Sequence, residues 1–207
     1  MNEAGRHSHW EGVYTSKGDE QLSWFEETPA LSLELIEMAG STRSSGIIDI
    51  AGGASRLADC LVSRGYEDVT VLDISAAALA RARSRMGDKA GAVTWITADV
   101  TAWDPSRTYD IWHDRAGFHF LTLRADQIAY VARLRRALAQ GGHAVIATFA
   151  PDGPERCSGL LVNRHDQSSL AAALGSGFAL IDSRRHEHVT PWGAPQKFQF
   201  STFRREH

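Results

Sequence analysis

Apolar and polar positions along this chain alternate between two periods. The run Ile47-Ile48-Asp49-Ile50 is β-branched and apolar, and it stops at a turn of small residues, Ala51-Gly52-Gly53-Ala54-Ser55. Ala54, Leu57, Ala58 and Leu61 then fall at i, i+3, i+4 and i+7, one face of a helix. Gly65 is the residue type that ends such a helix, because it takes positive φ without strain. A second apolar run, Val69-Thr70-Val71-Leu72, finishes on Asp73. The pattern predicts a β-turn-α-β unit. Its turn is small enough for backbone N–H groups to approach a ligand, and its second strand carries a carboxylate 20 residues past Gly53. In nucleotide-binding α/β folds such a carboxylate accepts hydrogen bonds from ribose hydroxyls.

The alternation continues downstream. Ser75 is a good N-cap for an Ala-rich helix running to Met86, with Gly87 as its stop. Val93 to Asp99 and Tyr109 to Asp114 read as strands, so three strands after the first end in Asp73, Asp99 and Asp114. Ile128, Val131, Leu134 and Leu138 mark a helix with Gly141-Gly142 as its terminator, followed by a buried strand from His143 to Phe149. A short helix from Ser169 to Leu174 precedes two strands, Phe178 to Ser183 and Gln196 to Phe203, closed by a turn at Pro191-Trp192-Gly193. Strands alternating with helices demand parallel crossovers. The expectation is one α/β domain with a mostly parallel sheet and helices on both faces, and ligands in such sheets sit at the carboxyl edge. Upstream, Met1 to His9 is polar and reads as frayed. Trp10, Val13 and Tyr14 share a helical face, Ser23-Trp24-Phe25 follows a charged turn, and Pro29 opens a helix containing Leu31, Leu35, Ile36 and Met38.

Composition narrows the function classes. The chain has 207 residues, 43% of them hydrophobic, which suits one domain with a sizeable core. Its 22 basic and 25 acidic residues leave no basic excess to suggest nucleic acid or a membrane surface. No apolar run approaches the length of a membrane span, and the N-terminus has no signal-peptide core. Cys60 and Cys157 make no disulfide framework, so the expected location is cytoplasmic. The glycine turn is neither GxGxxG nor GxxxxGK[ST], which argues against nicotinamide and ATP. Arg81, Arg83 and Arg85 alternate along one helix and read as a solvated face. His186 and His188 lie two apart with no third ligand nearby in sequence, so no metal site is assigned.

The segment from Trp112 to His119 carries the chemistry. It leaves the fourth strand at the carboxyl edge with His113, Asp114, Arg115 and His119. Either histidine is a candidate general base, since an unperturbed imidazole titrates near neutrality. The alternative is that His113 is a satisfied buried side chain and Asp114–Arg115 is structural. Trp103 either packs on a bound base or plugs the sheet edge, and Cys157 either shapes a substrate pocket or is an ordinary buried cysteine.

The ordered segments DIAGGAS, VTVLDIS, WITADVTAW, YDIWHDRAGFHFL and LRRALAQGGHAVIATF resemble the motifs of class I S-adenosylmethionine (SAM)-dependent methyltransferases, over roughly Trp10 to Phe149. The resemblance implies a Rossmann-like, doubly wound sheet of seven strands, with an antiparallel last strand inserted beside the fifth. It implies SAM as cofactor, lying over Ala51, Gly52 and Gly53. The ribose would fall on Asp73 beside Ile74, the adenine by Asp99 and Val100, and Asp114 would border the site. Residues 1–28 look like a lid on a domain spanning 29–207, with Trp10, Tyr14 and Trp24 folding over the cofactor, where a sulfonium cation is attracted to aromatic faces. The family usually reads GxGxG, and here Ala51 and Ser55 stand where the outer glycines belong, so positive φ at either would be strained. IWHDRAGF is similar to thiopurine and other small-molecule methyltransferases, which points to a small S, Se or N nucleophile as acceptor. The alternatives are a protein lysine methyltransferase and a non-catalytic SAM-binding module.

Overall fold

The computed structural model describes residues 3–206. It begins with helix α1 (Glu3–Ser16) and a turn of 3-10 helix at Asp19–Gln21, followed by α2 (Ala30–Met38). The repeating unit then runs β1 (Gly46–Ile50), α3 (Leu57–Ser63), β2 (Asp68–Asp73), α4 (Ala76–Met86), β3 (Val93–Thr97), β4 (Tyr109–Arg115), α5 (Arg124–Ala137) and β5 (Leu138–Phe149). A short hairpin, β6 (Arg156–Cys157) and β7 (Leu160–Leu161), precedes α6 (Gln167–Leu174), β8 (Phe178–Val189) and β9 (Pro195–Arg205).

Seven strands form one sheet in the order β3-β2-β1-β4-β5-β9-β8. β1 lies at the switch point, parallel to β2 (Ile47 opposite Val69) and to β4 (Ile47 opposite Ile111). β9 inserts antiparallel between β5 and β8, with Ala147 opposite Phe200 and Arg184 opposite Phe200 on its other side. The doubly wound, mostly parallel sheet with an antiparallel last strand is therefore as the sequence led us to expect. The two faces bury different sets of a strict alternation. Ile47, Val69, Val71 and Ile111 pack against α2, α3 and α4, while Ile48, Ile50, Trp112 and Ile146 pack against α5 and α6. Among the described residues no helix is long and apolar enough to cross a membrane.

Several expected boundaries move, each for a local reason. α5 ends at Ala137 and β5 starts at once, so Gly141-Gly142 lies inside the strand and does not terminate a helix. The register of β4 against β5 shifts between Tyr109 and Ile111, and a Cβ on Gly142 would fall 2.8 Å from the Asp110 carbonyl oxygen. That close approach, not a helix end, requires the glycine. β3 stops at Thr97, two residues before Asp99. The β8–β9 hairpin is longer than its apolar positions suggested, because Arg185 and Glu187 point outward between the inward-facing Arg184, His186 and His188 without breaking the ladder. Residues 3–9 are helical, not frayed; Met1 and Asn2 lie outside the described residues.

Candidate active site

The β1–α3 turn forms the floor. Ala51 adopts φ 52°, so the left-handed strain anticipated for the glycine-replacing positions falls here; Ser55 is not among the positive-φ residues. A Cβ on Gly52 would lie 2.6 Å from Asp49 Oδ2 and 2.7 Å from Val71, and one on Gly53 (φ +50°) would lie 2.4 Å from the Tyr14 hydroxyl. Only glycine fits either place. The outer side of the turn is clamped by Arg85, which donates to the carbonyls of Ala54 (2.9 Å) and Ser55 (2.8 Å) and pairs with Asp59 at 2.7 Å. Arg85 is thus structural and not part of a solvated face, whereas Arg83 is exposed.

Asp73 and Asp99 sit at the tips of neighbouring strands and face one pocket. That pocket is lined by Arg6, Trp10 and Tyr14 of α1, Trp24, Ala51, the Leu72-Asp73-Ile74 and Ala98-Asp99-Val100 segments, Arg115-Ala116-Gly117, Phe120, Leu121 and Cys157. Asp73 Oδ1 accepts from the Ser75 N–H at 2.8 Å. Burial, opposed by that donor, pushes its carboxyl up to about 7. Asp99 Oδ1 accepts from the Thr101 N–H (2.8 Å) and hydroxyl (2.7 Å), and its Oδ2 accepts from Arg6 Nη2 (2.8 Å) and Nε (3.0 Å). Burial disfavours the charged form, but the Thr101 donors and Arg6 outweigh it and hold this carboxyl below its ordinary value.

Aromatic rings close the top. Trp10 packs on Trp24 (5.8 Å between centroids) and on Phe120 (4.8 Å), and Tyr14 packs on Trp24 (6.2 Å). Helix α1 is fixed there by Glu11, which accepts from the Ser75 hydroxyl (2.7 Å) and the Ala77 N–H (3.3 Å) at the start of α4. A carboxylate at a helix N-terminus is favoured by the helix dipole. Arg6, Glu11, Glu26 and Phe120 escaped the sequence reading. The usable signal was the i, i+4, i+8 spacing of Arg6, Trp10 and Tyr14, which extends the aromatic stripe one turn upstream.

The four candidate catalytic residues separate. His113 is 2% exposed, with Nδ1 on Asp49 Oδ1 (2.7 Å) and Nε2 on Ser32 Oγ (2.9 Å), so both nitrogens are engaged away from the pocket. Asp114 is fully buried and accepts from the Gly117 N–H (2.7 Å) and the Tyr130 hydroxyl (2.7 Å), holding the loop after β4 rather than facing a ligand. His119 accepts from the Phe149 N–H at 3.2 Å, and burial lowers its pKa to about 3, leaving a neutral ring outside the pocket lining. Arg115 alone lines the pocket. It donates to the Trp24 carbonyl (2.8 Å) and Glu26 (2.9 Å) and lies over Phe198. Burial lowers its pKa, and Glu26 opposes that shift. The split follows from the period of two: His113 points to the α2 face, Asp114 to the α5 face, and only the last residue of β4 reaches the edge.

Cys157 also lines the pocket, carried there by the β6–β7 hairpin. It is buried, and desolvation pushes its thiol up to about 11, so it is at once a wall of the pocket and a buried cysteine. Trp103 packs on Trp112 at 6.4 Å, plugging the sheet instead of lining the pocket. His188 binds Glu26 (3.1 Å) and the Ser23 carbonyl (2.7 Å), and the described residues hold no group of three side chains suited to a metal. The residues present fit an adenosyl sulfonium. Asp73 is a buried carboxyl whose backbone donors, Ser75 and Gly53, do not offset its desolvation, the turn beside it admits no Cβ, and the walls above it are aromatic.

Residues 47–142 match the family described as Methyltransferase domain. The matched segment and the sheet order resemble those of the class I SAM-dependent methyltransferases. A malonyl-[acyl-carrier protein] O-methyltransferase of Paenibacillus sp. (strain JDR-2) is 27% identical over 148 residues, 68% of this chain and 51% of that protein, so the chain spans about half the length of this curated relative. Two solved structures share the fold. One is the 1,6-didemethyltoxoflavin-N1-methyltransferase of Burkholderia thailandensis with bound 1,6-didemethyltoxoflavin and S-adenosylhomocysteine (SAH), with TM-score 0.69 and 22% identity over 99% of this chain and 85% of that one. The other is the N-methyltransferase NodS of Bradyrhizobium japonicum WM9 in complex with SAH, with TM-score 0.71 and 14% identity over 97% and 99%.

Proposed function

We propose that this protein transfers a methyl group from SAM to a small-molecule acceptor, with residues 1–28 serving as the lid. The observation that carries the reading is the convergence of Asp73, Asp99 and Val100 with an aromatic chamber and Arg115 in one pocket. SAM supplies an electrophilic methyl, so the chain's task is to align two groups and keep water out. Asp73 accepts from the ribose hydroxyls, Ile74 and Val100 flank the nucleoside, and Trp10, Trp24 and Phe120 face the sulfonium side.

Among the described residues the pocket lining includes no imidazole, and its two carboxylates belong to the nucleoside end. An acceptor therefore arrives with its lone pair already available, as a thiolate or as an amine kept neutral by an apolar wall. Arg115, with its charge shared by Glu26, is the cation placed to favour an anionic acceptor. Proton transfer by His113 or His119 has no part in this reading. Cys60 and Cys157 are both unpaired, which suits the reducing cytoplasm proposed as its location.

Incubating the protein with SAM and a panel of thiols, small amines and a cell lysate, with SAH as the readout, tests the proposal. Turnover with a small acceptor supports it. Methyl label confined to lysate protein, or calorimetric SAH binding with no acceptor at all, would replace it with the protein-substrate or the non-catalytic alternative.

A further inference from the structure

Helix α1 presents Arg6, Trp10 and Tyr14 to the pocket at four-residue intervals. With a rise of about 1.5 Å per residue, the outer two are about 12 Å apart along the axis. Arg6 is 9% exposed in spite of its charge. Its Nε and Nη2 both donate to Asp99 Oδ2, while Thr101 donates twice to Oδ1. A carboxylate offers about four acceptor positions, and all four are taken. Arg6 Nη1 meanwhile donates to Asp126 Oδ2 of α5 at 2.8 Å, and Asp126 is the more exposed of the two acids. At the other end of the stripe, the Tyr14 hydroxyl covers the site above Gly53, beside Asp73. The helix thus meets both ends of the nucleoside subsite with its own polar atoms.

We propose, on the cofactor reading above, that Arg6 gates the adenine subsite: it holds Asp99 in the ligand-free protein, and an arriving adenine amino group takes Asp99 as Arg6 passes wholly to Asp126. The exchange replaces one donor to Asp99 by another, so the buried carboxylate is never left unpaired. Asp126 keeps the guanidinium compensated throughout, at the more hydrated of its two positions. Glu11 stays on the N-terminus of α4, so only the turns of α1 before it need shift. Because the competent arrangement is the minor one without ligand, apparent cofactor affinity is reduced by its fractional population. Arg6 is a positioning residue and touches no reacting atom.

Titration calorimetry with SAH tests this on the full chain. Removing the competitor by Arg6→Gln should tighten SAH binding about tenfold. Asp126→Asn, at a partly exposed position in the first turn of α5, should weaken SAH binding in the wild-type background and leave it unchanged in the Arg6→Gln background. S-inosylhomocysteine, which carries an oxygen where adenine carries its amino group, should be rejected more strongly by Arg6→Gln than by wild type, since no arginine remains to donate to that oxygen. Equal or weaker SAH binding by Arg6→Gln, or an Asp126→Asn effect that persists without Arg6, overturns the proposal while leaving the cofactor assignment intact. No SAH binding by any of the proteins removes both.

Discussion

Replacing His113 by alanine tests whether the residue is a base or a strut. The imidazole links Asp49 of β1 at 2.7 Å to Ser32 of α2 at 2.9 Å, and all three residues are at most 2% exposed. Truncation leaves a carboxylate stranded where water does not reach, and breaking a buried pair in this way costs about 3–5 kcal/mol. Unfolding entropy of about 2.1 cal/mol/K per residue over 207 residues comes to about 0.43 kcal/mol/K. The expected fall in Tm is therefore about 7–12 °C, measured by calorimetry without ligand. His113→Asn, which can keep one of the two bonds, should fall between alanine and wild type. SAH affinity, measured well below the transition, should stay within about threefold, because nothing from His113 reaches the pocket. If Tm moved by less than about 2 °C while turnover dropped by about 10²–10⁴-fold, the histidine would be a base and the strut argument wrong.

Asp73→Asn should weaken SAH binding by about one to a few orders of magnitude through loss of charge-assisted acceptors; unchanged affinity would remove Asp73 from the ribose site. The same change should raise Tm of the ligand-free protein at alkaline pH. The folded carboxyl, pushed from 3.8 up to about 7, holds its proton more tightly than the unfolded one, so wild-type stability falls as pH rises between those values and is level above them. SAH affinity of the wild type should correspondingly rise as pH increases through about 7, and a flat profile would contradict the buried carboxylate. Ala51→Gly relieves a left-handed alanine worth about 1–2 kcal/mol against about 0.4–1 kcal/mol of added chain entropy, so Tm should rise by up to about 4 °C, and a drop would show the strain is absent. Cys157, with its thiol at about 11, has a thiolate fraction near pH 8 of only about 10⁻³. Iodoacetamide should label it more than about 10²-fold more slowly than an ordinary cysteine; fast labelling would mean the β6–β7 hairpin opens.

Local pattern was enough for whatever depends on neighbours in sequence. The strand-turn-helix-strand around Gly52, the Ser75 cap, the glycine stops at Gly65 and Gly87 and the parallel order of the first strands all follow from period and turn chemistry, which act over a few residues. Asp73 and Asp99 were legible for the same reason: Asp73 ends β2 and Asp99 follows β3 by two residues, so both fall near the carboxyl edge. The tertiary structure alone decided which neighbours those side chains meet. His113 and Asp114 are adjacent in sequence, yet the pleat sends them to opposite faces, where Ser32 and Tyr130 engage them across separations of 81 and 16 residues. Arg6 looked like part of a polar tail because its partners lie 93 and 120 residues away. Pairing over such distances is set by how the layers close, and no window of sequence contains it. The sequence determined that a nucleoside-sized edge site exists and where its acids stand, while packing determined that a helix from the other end of the chain, and not a histidine after β4, faces them.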